Sequence, residues 1–177
     1  MWRSRTADKP SRKIFFVAAA RSLGIPAWID PVTGNLFYRH AGKDVPVDFE
    51  SANDRQLETG RLKLRYEPIP RLDDPEYFRH FTLSRFDGQS FALLNYPDFE
   101  PWSARFDTPT DLETGYYMLA TGSRLADGSV LANVSILNIG PNRTTETDLP
   151  MRDNSEAVRV IGSFNSESKF IDARTGR

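Results

Sequence analysis

The chain has 177 residues, 39% of them hydrophobic and 27% charged, which is ordinary for one or two globular domains. Its 23 Lys and Arg residues nearly balance its 24 Asp and Glu residues, so neither nucleic acid nor an anionic membrane is predicted as a partner. Cysteine is absent, which excludes disulfides, thiolate metal sites and a cysteine nucleophile within this chain.

The first predicted element is a helix that runs from Ser11, a suitable N-cap, to about Leu23. Gly24 and then Pro26 are typical of the end of a helix. Residues 14–20 are apolar on every side of this helix. A helix of that kind is normally covered by neighbouring elements, so we expect it to be buried.

Short strands are predicted after the helix. We expect a strand at Ala27–Ile29, followed by a hairpin that pairs Leu36–Arg39 with Val45–Phe49 around Ala41–Lys43. Residues 51–60 are polar and rich in turn-forming residues. We interpret them as a linker between two domains.

From Arg61 onward the apolar residues recur at every second position, and no second long helix is predicted. Six or seven short strands at this spacing are typical of an antiparallel β-sandwich of about a hundred residues. The predicted strands are 62–66, 81–83, 91–94, 115–121, 130–139, 144–149 and 158–161, with hairpin turns at Asp87-Gly88 and Asp127-Gly128. We assign residues 61–165 to the sandwich and 166–177 to a tail or linker, so the predicted class is mainly β, or α+β overall.

Two stretches near the start of the chain resemble a known family. The run Ile14-Phe-Phe-Val-Ala-Ala-Ala-Arg-Ser-Leu-Gly-Ile-Pro-Ala27 resembles the transglutaminase-like superfamily, in which the nucleophile helix ends in Arg-Ala-Leu-Gly-Ile-Pro-Ala-Arg and leads into a core strand. Asp44-Val-Pro-Val-Asp48 is similar to the family's Trp-Val-Pro-Val-Asp. The resemblance covers about residues 10–50 and implies that residues 1–50 are the C-terminal portion of a transglutaminase-like core.

That resemblance implies a Cys-His-Asp triad, in which the aspartate orients the histidine and the histidine activates the thiol. The cysteine position falls within Lys9–Arg12, where there is no sulfur, and the histidine position falls at Gly34 or Asn35. Ser11 has no histidine beside it, so we interpret it as a helix cap rather than a nucleophile. Only Asp48 matches the triad, as a vestigial aspartate, and no catalytic residue is assigned.

The remainder of the chain resembles the β-sandwich that follows the transglutaminase-like core in multidomain proteins of Bacteroides-type bacteria. The likeness is carried by residues 77–84, 115–128 and 160–165. Such proteins are typically exported, so the resemblance implies a periplasmic, extracellular or cell-surface location. The sequence has neither a signal peptide nor an apolar run long enough for membrane insertion, and from both of its ends we expect a segment of a larger polypeptide.

The candidate ligand-binding residues lie in the long loop that begins at residue 96; they are Tyr96, Phe99, Trp102 and Phe106. Their rings could stack on sugar faces while Asp98, Glu100 and Arg105 bind the hydroxyl groups. The alternative is that the rings fold over one open end of the sandwich as part of its core. That is the commoner role of a long loop dense in large apolar groups.

The remaining candidates have simpler interpretations. His40 lies at the predicted hairpin tip, where we expect a surface residue. His80 is predicted to lie in a strand, either facing solvent or at a sheet edge, because it is out of phase with Phe81. The acidic residues of segment 73–76 could bind a hard cation, but they lack the spacing of an EF-hand and an acidic turn is commoner. No metal site and no cofactor are predicted.

These observations favour a non-catalytic segment of a larger transglutaminase-like protein. Its role would be structural, or it would bind a protein or glycan partner. One alternative is that the segment belongs to an active transglutaminase or cysteine peptidase whose cysteine and histidine lie outside this chain. A second alternative is a glycan-binding β-sandwich module.

Overall fold

The computed structural model describes residues 6–49, 58–124 and 128–152. Strands account for 46% of the structure and helices for 13%, so the fold is mainly β, which confirms the predicted class. We refer to residues 6–49 as the core unit and to the described residues from 58 onward as the sandwich unit.

The core unit begins with α1 (Lys9–Ser22). Its N-cap is Asp8, whose carboxylate accepts a hydrogen bond from the Ser11 N–H at 2.8 Å, so the predicted cap at Ser11 is wrong by three residues. Pro10 is tolerated in this first turn because its missing N–H would have no helical partner there. The helix ends before Gly24, whose φ of 77° is the left-handed conformation that glycine adopts without strain.

Beside α1 lies a three-stranded sheet formed by β1 (Ala27–Ile29), β2 (Leu36–His40) and β3 (Lys43–Val47), in the order β1-β2-β3. Both pairs of strands are antiparallel. The hairpin of β2 and β3 confirms the predicted hairpin around Ala41–Lys43. Its two turn residues, Ala41 and Gly42, have φ values of 48° and 77°, and a two-residue hairpin turn of type I′ requires positive φ at both of these positions.

The helix α1 covers the sheet with one face only. Phe16 packs edge-on against Tyr38, with ring centroids 6.2 Å apart. The opposite face is open, since Ile14 and Phe15 are 62% and 54% exposed, and Ala20 is the buried residue of the helix. The predicted buried helix is therefore wrong, because the small sheet covers one side and no described element covers the other.

The sandwich unit contains eight elements. In chain order they are β4 (Thr59–Arg65), β5 (Phe81–Phe86), β6 (Phe91–Leu93), α2 (Trp102–Arg105), β7 (Thr110–Glu113), β8 (Gly115–Arg124), β9 (Val130–Ile139) and β10 (Thr144–Asp148). One sheet has the strand order β10-β4-β7, and the other has the order β6-β5-β8-β9. The sheets pack face to face around a common apolar core.

Two predictions about the sandwich unit need correction. β10 pairs with β4 in parallel, with Thr144 opposite Arg61, so the sandwich is mixed rather than purely antiparallel. The strand β4 begins at Thr59, inside the segment predicted as a linker. Gly60 is buried there, and a side chain on it would collide with the carbonyl oxygen of Gly140.

Residues 50–57, Asp127, and the predicted strand and tail at 158–161 and 166–177 lie outside the described residues.

Side chains from both sheets and from the long loops form a single buried cluster. Its members are Leu62, Leu64, Tyr66, Tyr77, Phe81, Leu83, Leu94, Tyr96, Phe106, Leu112, Tyr117, Leu119, Leu137, Ile139 and Leu149. Tyr77 is fully buried, and its hydroxyl accepts a hydrogen bond from the Leu83 N–H at 3.0 Å and donates one to the Leu94 carbonyl at 2.7 Å. Burial raises the pKa of the Tyr77 hydroxyl far above its ordinary value, which keeps it a neutral donor.

Candidate functional site

The positions that align with the transglutaminase-like triad lie near one another at one end of the core unit. The first turns of α1 lie against the start of β2, since the Lys13 ammonium donates to the Gly34 carbonyl at 2.6 Å. The guanidinium of Arg12 lies 5.9 Å from the ring centre of Phe49, which follows the end of β3. The helix N-terminus therefore meets the ends of both strands, as a triad spread over these three elements would require.

The strand register also relates the aligned histidine and aspartate positions. Leu36 pairs with Val47, and the antiparallel register continued by one residue sets Asn35 opposite Asp48. Neighbouring positions on adjacent strands bring a histidine and an aspartate within hydrogen-bonding reach in such a triad. Asp48 is exposed, and the residue beside it here is an amide rather than an imidazole.

The helix N-terminus, where the family has its nucleophile, holds a capping interaction. The Ser11 N–H donates a hydrogen bond to the Asp8 carboxylate at 2.8 Å, and the hydroxyl and N–H of Ser11 beside this carboxylate lower the pKa of Asp8. Thr6, Ala7, Asp8 and Ser11 line a shallow open depression at this end of α1. Ser11 therefore lies in a first turn that Asp8 caps, and because no imidazole is beside it to remove the hydroxyl proton, it lacks the chemistry of an activated nucleophile.

Asn35 links the two units. Its side-chain amide donates a hydrogen bond to the Glu113 carboxylate at the end of β7. The other oxygen of that carboxylate forms an ion pair with Arg85 at 2.8 Å, and the Glu113 side chain is only 11% exposed. The Tyr117 hydroxyl donates to the Glu113 carbonyl at 2.8 Å, which fixes the backbone at the same point. The position aligned with a catalytic histidine thus serves as a tie between the core unit and the sandwich unit.

A second contact supports this tie. The Asn95 N–H donates to the Val32 carbonyl at 3.0 Å, and Val32 packs against the buried cluster of the sandwich unit. Sequence reasoning missed Glu113, Arg85 and Asn95. A single polar residue in a short strand gives no sign of which distant residue it will meet, so no signal in the sequence points to this junction.

The candidate aromatic residues of the 96–106 loop do not form an open platform. Tyr96 and Phe106 are 6% and 1% exposed, and their rings pack edge-to-face with centroids 5.3 Å apart. Trp102 donates its indole N–H to the Leu64 carbonyl at 2.8 Å and packs edge-on against Tyr66. These three rings are therefore part of the core, as the alternative interpretation expects.

Phe99 is the exception, at 61% exposed and with a φ of 61°. The polar residues near it are occupied with one another. Glu100 and Arg105 form a bidentate ion pair, in which Nε and Nη2 of Arg105 each lie 2.7 Å from a carboxylate oxygen of Glu100. The guanidinium lies 4.8 Å from the centre of the Tyr96 ring. The bond to Glu100 raises the pKa of Arg105. Phe99 and the exposed Asp98 are left as the accessible members of the candidate set, which is too little for a stacked sugar site.

The two histidines lie away from the triad positions. His40 ends β2, at the opposite end of the strand from Asn35, and is exposed as predicted. His80 lies in the turn before β5 rather than within a strand, and it is half-buried rather than facing solvent. The reason is a local hydrogen bond, in which its Nδ1 accepts from the Glu76 N–H at 2.9 Å. Burial lowers the pKa of His80.

The acidic residues of segment 73–76 have structural roles. The Asp74 carboxylate accepts from the Ser103 N–H at 3.1 Å and from the Ser103 hydroxyl, and so holds the start of α2. Glu76 forms an ion pair with Arg79 at 3.0 Å. Within residues 6–49, 58–124 and 128–152, no three histidine, aspartate or glutamate side chains are grouped as a metal ion would need.

No protein-family model, curated protein or solved structure matches this chain. In the described part of the chain, neither helix is long and apolar enough to cross a membrane.

Proposed function

We propose that this chain is a non-catalytic segment of a larger transglutaminase-like protein, in which the sandwich unit holds the core unit in position. The observation that carries the proposal is the set of residues at the triad positions. Ser11 lies in α1, Asn35 directly precedes β2 and Asp48 directly follows β3; of the three, only the aspartate has the chemistry of the triad that the resemblance implies. A thiol nucleophile is absent from the whole sequence.

The structural part of the proposal is supported by the junction at Glu113. Its carboxylate is nearly buried, so leaving it without partners would be costly, and Arg85 and Asn35 both bond to it. The amide of Asn35 is therefore committed to positioning. This use of Asn35 favours a scaffold role for the sandwich unit. The exported location that we propose for the protein rests on the resemblance alone.

Each alternative has less support. If the parent protein supplied a catalytic histidine from outside this chain, that histidine would have to reach the exposed Asp48, while Asn35 occupies the neighbouring register position. A glycan-binding module would need accessible rings, whereas Tyr96 and Phe106 are buried and the Trp102 indole N–H is bonded to the backbone. The loop therefore supports a structural role better than a glycan-binding one.

The absence of catalysis is tested with a glutamine-donor peptide and a fluorescent primary amine. We expect no amine incorporation by the wild-type chain and none by Ser11→Cys, because the thiol has no imidazole to activate it. Incorporation by the wild-type chain above a protein-free blank would overturn the proposal. The double variant Ser11→Cys/Asn35→His tests whether positions 11, 35 and 48 are arranged as a triad. Amine incorporation by the double variant, but not by the wild type or Ser11→Cys, would support that arrangement.

The positioning role is tested by hydrogen exchange in β1 to β3. Glu113→Gln removes the charge that pairs with Arg85, and we expect faster amide exchange in the core unit than in the wild type. Glu146→Gln is the matched control, because Glu146 is an exposed residue of β10 far along the chain from this junction. Equal exchange in the two variants would contradict the scaffold role without bearing on catalysis.

A further inference from the structure

The four-stranded sheet of the sandwich unit has an apolar surface on the side that faces away from the core. We call this surface the outer face. Its large apolar side chains are Phe86, Phe91, Leu93, Tyr116, Met118, Val130, Val134 and Ile136. Met118 lies opposite Ile136 on one side and opposite Ser84 on the other, and Ser84 lies opposite Leu93. Because directly opposite residues point to the same side of a sheet, these side chains form one continuous surface across four strands.

The outer face is large for a surface in water. Val134, Ile136 and Tyr116 are 60%, 57% and 55% exposed, and Leu93 is 43% exposed. Seven of the eight large apolar residues of the outer face are more than a third exposed, and they are contiguous in the strand register. Contiguous apolar patches of more than a few hundred Å² are rare on soluble monomers and are typical of interaction sites.

The other sheet of the same unit shows what a water-facing surface looks like in this protein. On its outward side Arg65 lies opposite Asp148, with an ion pair of 2.9 Å, and Lys63 lies opposite Glu146. The two sheets therefore differ in a specific way. One carries cross-strand charge pairs outward, as a solvated sheet does, and the other carries apolar residues on both faces, as a covered sheet does.

Charge is almost absent from the outer face. Among the described residues whose register places them there, the charged side chain is Arg124, at the far end of β8. The other small or polar positions include Ala120, Gly122 and Ala132 in the middle of the face. The centre of the surface is therefore uncharged and carries small side chains.

We propose that a second copy of this chain covers the outer face, so that two four-stranded sheets pack against each other about a two-fold axis. A two-fold axis brings each residue of a surface against the same surface of its partner. Near such an axis a charged residue lies close to its own copy and is repelled by it. The centre of the outer face has no charged residue, so this repulsion is avoided. Arg124 lies at one end of β8, so an axis through the middle of the face keeps it apart from its mate. The net charge of −1 also gives little repulsion between copies.

The area of the face is suited to this occupant. A stable interface needs roughly 800 Å² from each partner, and a face that is four strands wide, with two strands of ten residues, has an area of about that size. A glycan is disfavoured because the rings of Phe86 and Phe91 are tilted by 46° at a centroid distance of 5.2 Å and form no flat platform. The aliphatic residues Val134 and Ile136 offer sugar hydroxyl groups no partner.

The test is the mass of the full chain in solution, measured by sedimentation equilibrium from about 1 µM to about 100 µM, a range that detects micromolar dissociation constants. One copy has a mass of 20.1 kDa, and we expect the wild-type mass to rise toward twice that value. Ile136→Lys should raise the dissociation constant on the order of 100-fold, because each copy buries a lysine near its mate. Ile14→Lys is the matched control, since Ile14 is 62% exposed on α1, and its mass should equal that of the wild type.

Three results would overturn the proposal: a wild-type chain that is a monomer at all concentrations, a dimer that Ile136→Lys leaves intact, or a dimer that Ile14→Lys also dissociates. Val134→Thr is a milder variant that tests the proposal even if Ile136→Lys fails to fold. Threonine keeps the β-branched shape that suits a strand. This variant should weaken the dimer on the order of 10-fold with an unchanged circular dichroism spectrum. The dimer does not depend on the scaffold role of Glu113, so either proposal can fail alone.

Discussion

The side-chain amide of Asn35 donates a hydrogen bond to the carboxylate of Glu113, 78 residues further along the chain, and joins β2 of the core unit to β7 of the sandwich unit. Asn35 is also the residue beside Asp48 in the strand register. One residue therefore joins the two units and also occupies one of the two positions at which the resemblance implies a histidine.

Replacing Asn35 with aspartate tests this bond. Asn35→Asp keeps the shape of the side chain but sets two carboxylates against each other, and we expect a loss of about 2 kcal/mol of stability at neutral pH. Repulsion raises the carboxyl pKa values in the folded state, so the deficit relative to the wild type should shrink as the pH falls through the raised values. Urea unfolding at several pH values checks this. Asn142→Asp, in an exposed turn, should show no such pH-dependent deficit.

The hydroxyl of Tyr77 is the second polar group on which the fold depends. Tyr77→Phe removes the acceptor for the buried Leu83 N–H and the donor to the Leu94 carbonyl. We expect a loss of about 1–3 kcal/mol, since buried groups are left without partners. Tyr116→Phe is the control, because that ring is 55% exposed and its loss of a hydroxyl should cost less than about 0.5 kcal/mol. Similar midpoints for the two variants in thermal unfolding would show that the Tyr77 network contributes little.

Trp102 and Phe99 distinguish a core role for the 96–106 loop from a binding role. Trp102→Ala removes a ring that packs on Tyr66 and an indole N–H bonded to Leu64, so we expect a loss of about 3 kcal/mol. Phe99→Ala should change stability by less than about 0.5 kcal/mol, since the ring is 61% exposed. Calorimetry on both variants measures the difference. An unchanged melting temperature for Trp102→Ala would return the ring to the set of ligand-binding candidates.

Local features of the sequence predicted the local features of the fold. The hairpin of β2 and β3 follows from alternating residues around Ala41 and Gly42, and the turn at Asp87 and Gly88 follows from turn chemistry, with Asp87 accepting from two backbone N–H groups. The N-cap prediction missed Asp8 because Pro10 is as compatible with a helix start as with a break. The recurrence of apolar residues at every second position identified the mainly β class.

Contacts between distant residues could not be predicted in the same way. Nothing in β4 or β10 indicates that Arg61 and Thr144 pair in parallel, since either direction satisfies the alternation of each strand. The bond between Asn35 and Glu113 likewise depends on how two units meet. The outer face did leave a signal, because β9 is apolar at both odd and even positions, as in Val134, Ile136, Leu137 and Ile139, and a strand with one wet face is not.

His80 makes the folded chain sensitive to mild acid. Its Nδ1 accepts the Glu76 N–H at 2.9 Å, which only an imidazole without a proton on that nitrogen can do. Burial lowers the pKa of His80 below the ordinary histidine value of 6.5, and the neighbouring Arg79 acts in the same direction while Glu76 opposes it. The unfolded chain therefore binds a proton more readily than the folded chain. The stability from His80 is fully present above about pH 6.5 and is lost as the pH falls through the folded pKa.

The variant His80→Asn should remove this dependence, because its Oδ1 can accept from the Glu76 N–H without titrating. We expect the wild-type urea midpoint to fall between pH 7.5 and pH 5, above the range where most carboxylates titrate, and the His80→Asn midpoint to stay nearly level. His40→Asn removes the exposed histidine at the end of β2 and should keep the wild-type decline. A decline of equal size in all three proteins would assign the acid sensitivity to groups other than His80.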